Sequence, residues 1–381
     1  MDTKAIRRSR YVHVAALATL LAACGGGGDT VSPQPETLPV RAWGGAEVLA
    51  TDAADHYTST SIARVGIDDA GRAEVVWVKS GTFHLEGRRY AAGQWGAVET
   101  LASAAVTQPA LAMAGTGDAM VTWIEDIDSS TGSLHARRYG AASDQWEPRE
   151  TVRAANVRRS LDHAPRVAMA AGGDAQVVWN DTEGGDHAAA RRHAGGQWEE
   201  AVELATQQMF SPHLVMNRRG DAALGSFRFG GIYVQRAGAA GPWGAPEEMR
   251  WGDVSYSGVR TPQVAIDATG DVVALWLQDA PTIVSLLARR YDAAAGHWEA
   301  AEALVDDADV NLPRLAGSAS GATAAVWLQW DGSGYSLKSR RTVGALFLPQ
   351  LAMNREGEAV AIWLEDEGVA DALTLVARRY Q

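Results

Sequence analysis

Seven positions spread along the chain hold side chains suited to gripping an anion or a sugar: Arg64, Ala110, Arg166, His213, Gln263, Arg314 and Gln350. Each follows a proline (Pro109, Pro165, Pro212, Pro262, Pro313, Pro349), except that Ala63 takes that slot before Arg64. Guanidinium forks donate in pairs to carboxylate, phosphate or sulfate oxygens, and imidazole and amide groups add neutral donors. The residue after the proline alternates with core positions and shares its side with small residues such as Ala112, Ala168 and Ala265. It is therefore expected to face a central channel. Asp126, Asp181, Asp279, Asp331 and Asp366 stand at the ends of the next strands, which predicts a basic, amide-rich funnel inside an acidic ring. Trp330 and Tyr256 fall in loops and could stack on a sugar ring. Two arrangements fit this set. One is a solvated channel mouth of mutual salt bridges; the other is an anionic or sugar ligand held by Arg64, Arg166 and Arg314.

Other chemistry is sparse. Asp126-x-Asp128-x-Ser130 and Asp307-x-Asp309-x-Asn311 have the oxygen spacing of calcium loops, without the glycine and distal glutamate of an EF-hand. They are the only candidate metal ligands. The nine histidines show no metal-binding spacing, and there is no phosphate loop, dinucleotide fingerprint or Gly-x-Ser-x-Gly elbow, so no cofactor is expected. A formal charge of −12 argues against nucleic acid as a partner, because that binding needs a positive field.

The elements that must position these residues come from a repeat. The segment from Pro262 through Asp267-Ala268-Thr269-Gly270 and Trp276 to Ala288-Arg289-Arg290-Tyr291 and Trp298 recurs in seven copies. Their middle aromatics are Trp77, Trp123, Trp179, Phe227, Trp276, Trp327 and Trp363. Each copy reads as four short strands: a first with period-two alternation, a turn with Asp first and Gly fourth, a second apolar on both faces, a third carrying Arg-Arg, and a fourth opened by Trp. Such a unit of roughly 50 residues is that of a β-propeller blade. The fold expected is all-β, a seven-bladed propeller with six or eight blades as the fallback. The last copy stops at Tyr380-Gln381 without a fourth strand, and the missing piece stands at Trp43 to Leu49, so one blade is built from both termini. The sixth copy is short between Arg341 and Pro349 and reads as a three-stranded blade. Every tryptophan except Trp251 and Trp330 sits at a repeat position and reads as packing between blades, and one arginine of each Arg-Arg pair is expected to face a neighbouring blade or a rim carboxylate.

Two resemblances add to this. The basic start, the apolar run from Val12 to Leu21 and the sequence Leu21-Ala22-Ala23-Cys24 resemble the signal and lipobox of bacterial lipoproteins. That resemblance implies cleavage before Cys24, the one cysteine of the chain, and its acylation. Gly25 after it points to the outer membrane as the address, and residues 24–40 read as a flexible tether between the signal (1–23) and the propeller (41–381). The repeat itself resembles tandem repeats of uncharacterised Gram-negative surface lipoproteins, sometimes loosely called sialidase-like. The sialidase Asp box is not matched: Trp276 lies six residues past Gly270, where that box has three.

Function should sit where copies differ, in the second-to-third and fourth-to-first loops: Glu125 to Gly132, Asp181 to Asp186, Arg153 to Ala164 and Trp251 to Thr261. The expectation is a membrane-anchored cell-envelope binding or scaffold protein, with the membrane at Cys24 and an envelope protein or glycan as partners. The alternatives are a carbohydrate-active enzyme, sialidase-like or lyase-like, and a lectin with several sites between blades.

Overall fold

The structure, a computed structural model, describes residues 46–53, 63–228, 231–249, 259–280, 283–305, 310–317, 323–330, 335–338, 347–353, 359–366 and 373–380. Cys24, the signal and tether segments, Trp251, Tyr256, Asp307, Asp309 and Asp331 lie outside them, as do the side chains of Gln350, Asp279 and Asp366. The described elements are β-strands in antiparallel sheets, apart from one short 3-10 turn at Leu161–His163.

The repeat shows itself as a strand order. Ala63–Ile67 pairs with Ala73–Val78, that strand with Leu85–Ala91, and the last with Gln94–Trp95 and Glu99–Ala102. The same order holds for the sheet of Val259–Ile266, Val272–Ala280, Ile283–Asp292, His297–Trp298 and Glu302–Val305. Among the described residues the sixth copy shows three strands of one sheet, Val310–Gly317, Thr323–Trp330 and Tyr335–Lys338. At the ends of the chain, Glu47–Ala53 pairs antiparallel with Leu373–Tyr380, with Glu47 opposite Ala377 and Val48 opposite Val376. One sheet is thus built from both termini. Tying the first strand to the last covers an edge that would otherwise be open.

The second strands Ala73–Val78 and Ala175–Asp181 are buried along their whole length, so each is covered on both faces. Trp77, Trp123, Trp179 and Trp276 are at most 1% exposed. Each such indole withdraws roughly 150–250 Å² from water. The tryptophans of the fourth strands lie edge-on to a ring of the third strand: Tyr90–Trp95 at 5.3 Å, Tyr139–Trp146 at 5.5 Å, His193–Trp198 at 5.0 Å and Tyr291–Trp298 at 5.4 Å.

The turn between first and second strands closes on its own side chain. Asp68 Oδ1 accepts the N–H groups of Ala70 and Arg72, and Asp267 Oδ1 accepts those of Thr269 and Asp271. The fourth residue sits at φ 75° in Gly71 and 94° in Gly270, a region glycine enters without strain.

The Arg-Arg pairs fasten copy to copy. Arg88, Arg137 and Arg191 each donate through Nε to a carbonyl of their own outer strand (Gly96, Glu147, Glu199). Through Nη1 each reaches a carbonyl in the outer strand of the preceding copy: Leu49 at 3.3 Å, Leu101 at 3.1 Å and Val152 at 2.7 Å. Leu49 belongs to the N-terminal strand, so Arg88 links the first copy to the sheet of the two termini. The second arginine turns to a carboxylate, as in Arg192–Asp174 at 2.6 Å and Arg290–Asp271 at 2.5 Å, or covers the next copy's tyrosine, as Arg236 covers Tyr291 at 3.4 Å.

One expectation about the loops is corrected. Arg153 to Ala164 is not a free loop: Glu150–Arg158 is a strand that pairs with Thr131–Gly140 and, at Val157, with Asp181 of the next copy. Two copies are thereby joined into one sheet.

Candidate functional site

The seven first strands meet in succession. Ala63–Ile67 contacts Val106–Met113, then come Arg166–Met169, Phe210–Met216, Val259–Ile266, Val310–Gly317 and Phe347–Met353, and the last contacts Ala63–Ile67 again. The residues singled out in the sequence stand at one level of this inner set. Arg64 is opposite Val76, Ala110 opposite Thr122, Arg166 opposite Val178, His213 opposite Gly225 and Gln263 opposite Leu275. Arg314 is opposite Val326 and Gln350 opposite Ile362. The step along the chain between the paired residues is the same in every copy.

In several copies a local device precedes this level. Just before the proline the ladder slips, between Thr107 and Ala110, Phe210 and His213, and Asn311 and Arg314. The residue ahead of the proline is left-handed, at φ 53° in Gln108, 47° in Ser211 and 48° in Leu312. A bulge adds a residue and re-aims the side chains beyond it, and proline, having no N–H, is at home there. Three non-glycine residues held at positive φ cost of order 1–3 kcal/mol each, a strain that collects at functional sites.

The half-buried guanidiniums of Arg64, Arg166 and Arg314 come close enough to act on one another. Burial, then the charges of Arg166 and Arg314, push Arg64 down to about 9. Burial and the charge of Arg314 push Arg166 down to about 10, and burial lowers Arg314. Each folds one Nη1 back onto a carbonyl just behind it: Arg64 to Ala63 at 2.8 Å, Arg166 to Pro165 at 3.0 Å, and Arg314 to Pro313 at 3.0 Å. Among the described residues no carboxylate lies within ion-pair distance of the three. His213 accepts the Val264 N–H at Nδ1, 3.1 Å away, which leaves the ring proton on Nε2. Burial, then Arg166 and Arg314, push this imidazole down to about 3, so it is neutral near pH 7. Buried Gln263 donates to the Pro262 carbonyl at 3.0 Å.

The acidic ring is corrected where it can be seen. Asp181 accepts the Trp179 indole N–H at 3.0 Å and pairs with Arg153 at 2.8 Å; Asp126 pairs with Arg159 at 2.6 Å. These carboxylates are answered by Arg153 in the strand Glu150–Arg158 and by Arg159 just after it, and they do not reach the central arginines. Arg158 with Asp186, and Arg153 with Glu183, extend this rim network. Neither Arg153 nor Arg159 occupies a repeat position, so periodicity could not single them out. Asp128 spends its oxygens on the N–H and hydroxyl groups of Ser130 and Thr131, closing its own turn. Among the described residues no group of three or more His, Cys, Asp or Glu side chains is placed to hold a metal ion. Trp330 ends its strand 43% exposed.

Away from the centre, several arginines are paired with carboxylates. A cavity of about 570 Å³ between two copies is lined by Arg219, Asp221, Arg236, Glu247 and Tyr291. Its arginines are engaged, Arg219 with Asp221 at 2.8 Å and Arg236 with Glu247 at 2.6 Å. Glu74, 1% exposed, lies 3.5 Å from Arg89, and its burial outweighs that cation and pushes it up to about 8.

No model of a known family matches the chain, and no curated protein matches its sequence. Solved structures do resemble it. A polysaccharide lyase, an ulvan lyase bound to -[GlcA(1-4)Rha3S]-, superposes with a TM-score of 0.50 at 10% identity over 86% of this chain and 94% of that one. A protein of unknown function from Dyadobacter fermentans DSM 18053 gives 0.49 at 9% identity, over 88% and 99%. The Aleuria aurantia lectin gives 0.44 at 12% identity, over 76% and 97%. At these identities the likeness bears on fold alone, which is all-β, antiparallel and propeller-like.

Proposed function

We propose that this protein is a lipid-anchored binding protein of the cell envelope. In this reading it is a seven-bladed propeller, each first strand lining a channel, tethered to the outer membrane through an acylated Cys24. It recognises an envelope protein or glycan on the face of the second-to-third and fourth-to-first loops. The observation that carries the binding role is the meeting of Arg64, Arg166, Arg314 and the neutral His213 at one level, with no carboxylate beside the arginines among the described residues. Such a centre can hold a ligand. Among the described residues no acid–base pair of the kind that turns a glycan over stands beside it. A lectin with one site in each junction would need an accessible aromatic there. The mid-repeat indoles of Trp77, Trp123, Trp179 and Trp276 are sealed in the core, and the partly covered Trp95, Trp146, Trp198 and Trp298 lie edge-on to a third-strand ring.

Two experiments test this. Cys24→Ser should move the protein from the membrane fraction to the soluble one; attachment that persists refutes the anchor. Cross-linking in intact cells should capture an envelope partner, and capture should fall at least tenfold in an Arg64→Gln, Arg166→Gln double variant. Equal capture by that variant would place the contact elsewhere.

A further inference from the structure

We propose that Arg64, Arg166 and Arg314 form a site for a compact tetrahedral oxyanion, a phosphate or sulfate group, free or at the ester end of a larger molecule. The inference rests on the reading of the channel centre as the binding site and names the chemistry it takes.

The three arginines occupy the same register on their strands, so their guanidiniums start from one height rather than from a staircase. They are also spread around the centre. They stand on the first, third and sixth of the seven strands that contact one another in succession, which separates them by two, three and two steps. No more even placing of three residues on seven strands exists. A planar carboxylate is satisfied by a single guanidinium fork approaching from one side. Cations set around an axis suit an anion whose oxygens point in several directions.

The donors are held ready. Each arginine ties its Nη1 to the carbonyl immediately behind it, and Arg166 Nη1 also donates to the Ala164 carbonyl at 3.2 Å. That bond fixes the plane of the guanidinium and leaves its other N–H groups to a ligand. His213, with Nδ1 occupied by the Val264 N–H, offers Nε2–H as a donor that adds no charge to an already positive centre. Electrostatics favours the same occupant. Three cations that repel one another without a neighbouring carboxylate among the described residues gain from an anion what paired arginines elsewhere in the chain already have.

The test is calorimetric titration of the purified protein in detergent at constant ionic strength, balanced with chloride. The probes are inorganic phosphate, inorganic sulfate and glucose 6-phosphate, with glucose as control. The expected result is one saturable site per chain for at least one of these anions, none for glucose, and binding at least tenfold weaker in Arg166→Gln and in Arg64→Gln. Preference for the ester over inorganic phosphate by tenfold or more would identify an ester-bearing ligand, and equal affinity a free ion; either supports the site. Two variants guard against one misfolding, and a melting curve in chloride reports on each. No saturable anion binding, or equal binding in folded variants, overturns the proposal. A cross-linked partner captured equally by wild type and Arg166→Gln, with no anion bound, would sink the oxyanion site while leaving an envelope-binding role in place. Anion binding with no partner captured would do the reverse.

Discussion

Arg88, Arg137 and Arg191 in the third strands, and Arg64, Arg166 and Arg314 in the first, are all set by the repeat, yet their surroundings are opposite. The outer set spans two copies, each guanidinium ending on carbonyls of two outer strands. Among the described residues the inner set meets its own backbone and its own kind, with no carboxylate. The outer positions hold arginine in copy after copy, with Gln235 taking the place in the fourth, where its amide reaches the Leu204 and Gly244 carbonyls. The inner positions range over arginine, histidine, glutamine and alanine. Sameness marks a fastening that every junction needs. Variation marks a place free to be shaped by a ligand.

The fastening can be broken most visibly at its core. Trp179→Ala empties the space of a fully buried indole and should cost about 3–5 kcal/mol in chemical denaturation. Arg191→Ala removes charge-assisted bonds of 2.6 and 2.7 Å to Glu199 and Val152 and should cost about 1.5–3 kcal/mol. Arg166→Gln should cost nothing and raise the melting temperature slightly in chloride, because it takes one cation from a repelling set. If it destabilised as much as Arg191→Ala, the contrast between the two sets would be lost.

Titration sharpens the same contrast at smaller amplitude. His213 is pushed down to about 3, below the ordinary imidazole value of about 6.5. The stability tied to its neutral form is full above 6.5 and is lost as pH falls toward 3, so His213→Gln should flatten the acid limb of a melting-temperature profile. Glu74 runs the other way. Raised to about 8, it contributes fully below the ordinary carboxyl value and loses that contribution as pH rises through 8. Glu74→Gln should therefore gain on wild type between about pH 5 and pH 8.5. An unchanged difference across that range would contradict a buried, protonated Glu74.

Most of the fold was legible because the repeat states it several times. Trp at mid-repeat, Asp and Gly at the turn and Arg-Arg in the third strand each recur with their structural reason. The pairing of the two termini was legible from the strand missing at Tyr380, and the strand described, Glu47–Ala53, overlaps the expected segment at Glu47 to Leu49. The inner arginines were legible because they recur at one place in the repeat, after Ala63, Pro165 and Pro313, and at Arg314 the proline also marks a bulge. The rim was not. Arg153 and Arg159 answer Asp181 and Asp126 across long sequence separations and at non-repeat positions. Nothing in a periodic pattern announces such a pair. An aspartate that looks free in sequence is then found holding an indole N–H and a guanidinium, as Asp181 does.

That the inner arginines wait for an anion and the outer ones do not can be measured directly. Crystals grown in chloride and soaked in selenate would show the anion by its anomalous signal. The expected result is one well-occupied peak within hydrogen-bond distance of Arg64, Arg166 and Arg314, and none beside Arg88, Arg137 or Arg191. Selenate scattered over the surface, or seated on the outer arginines with the centre empty, would contradict it.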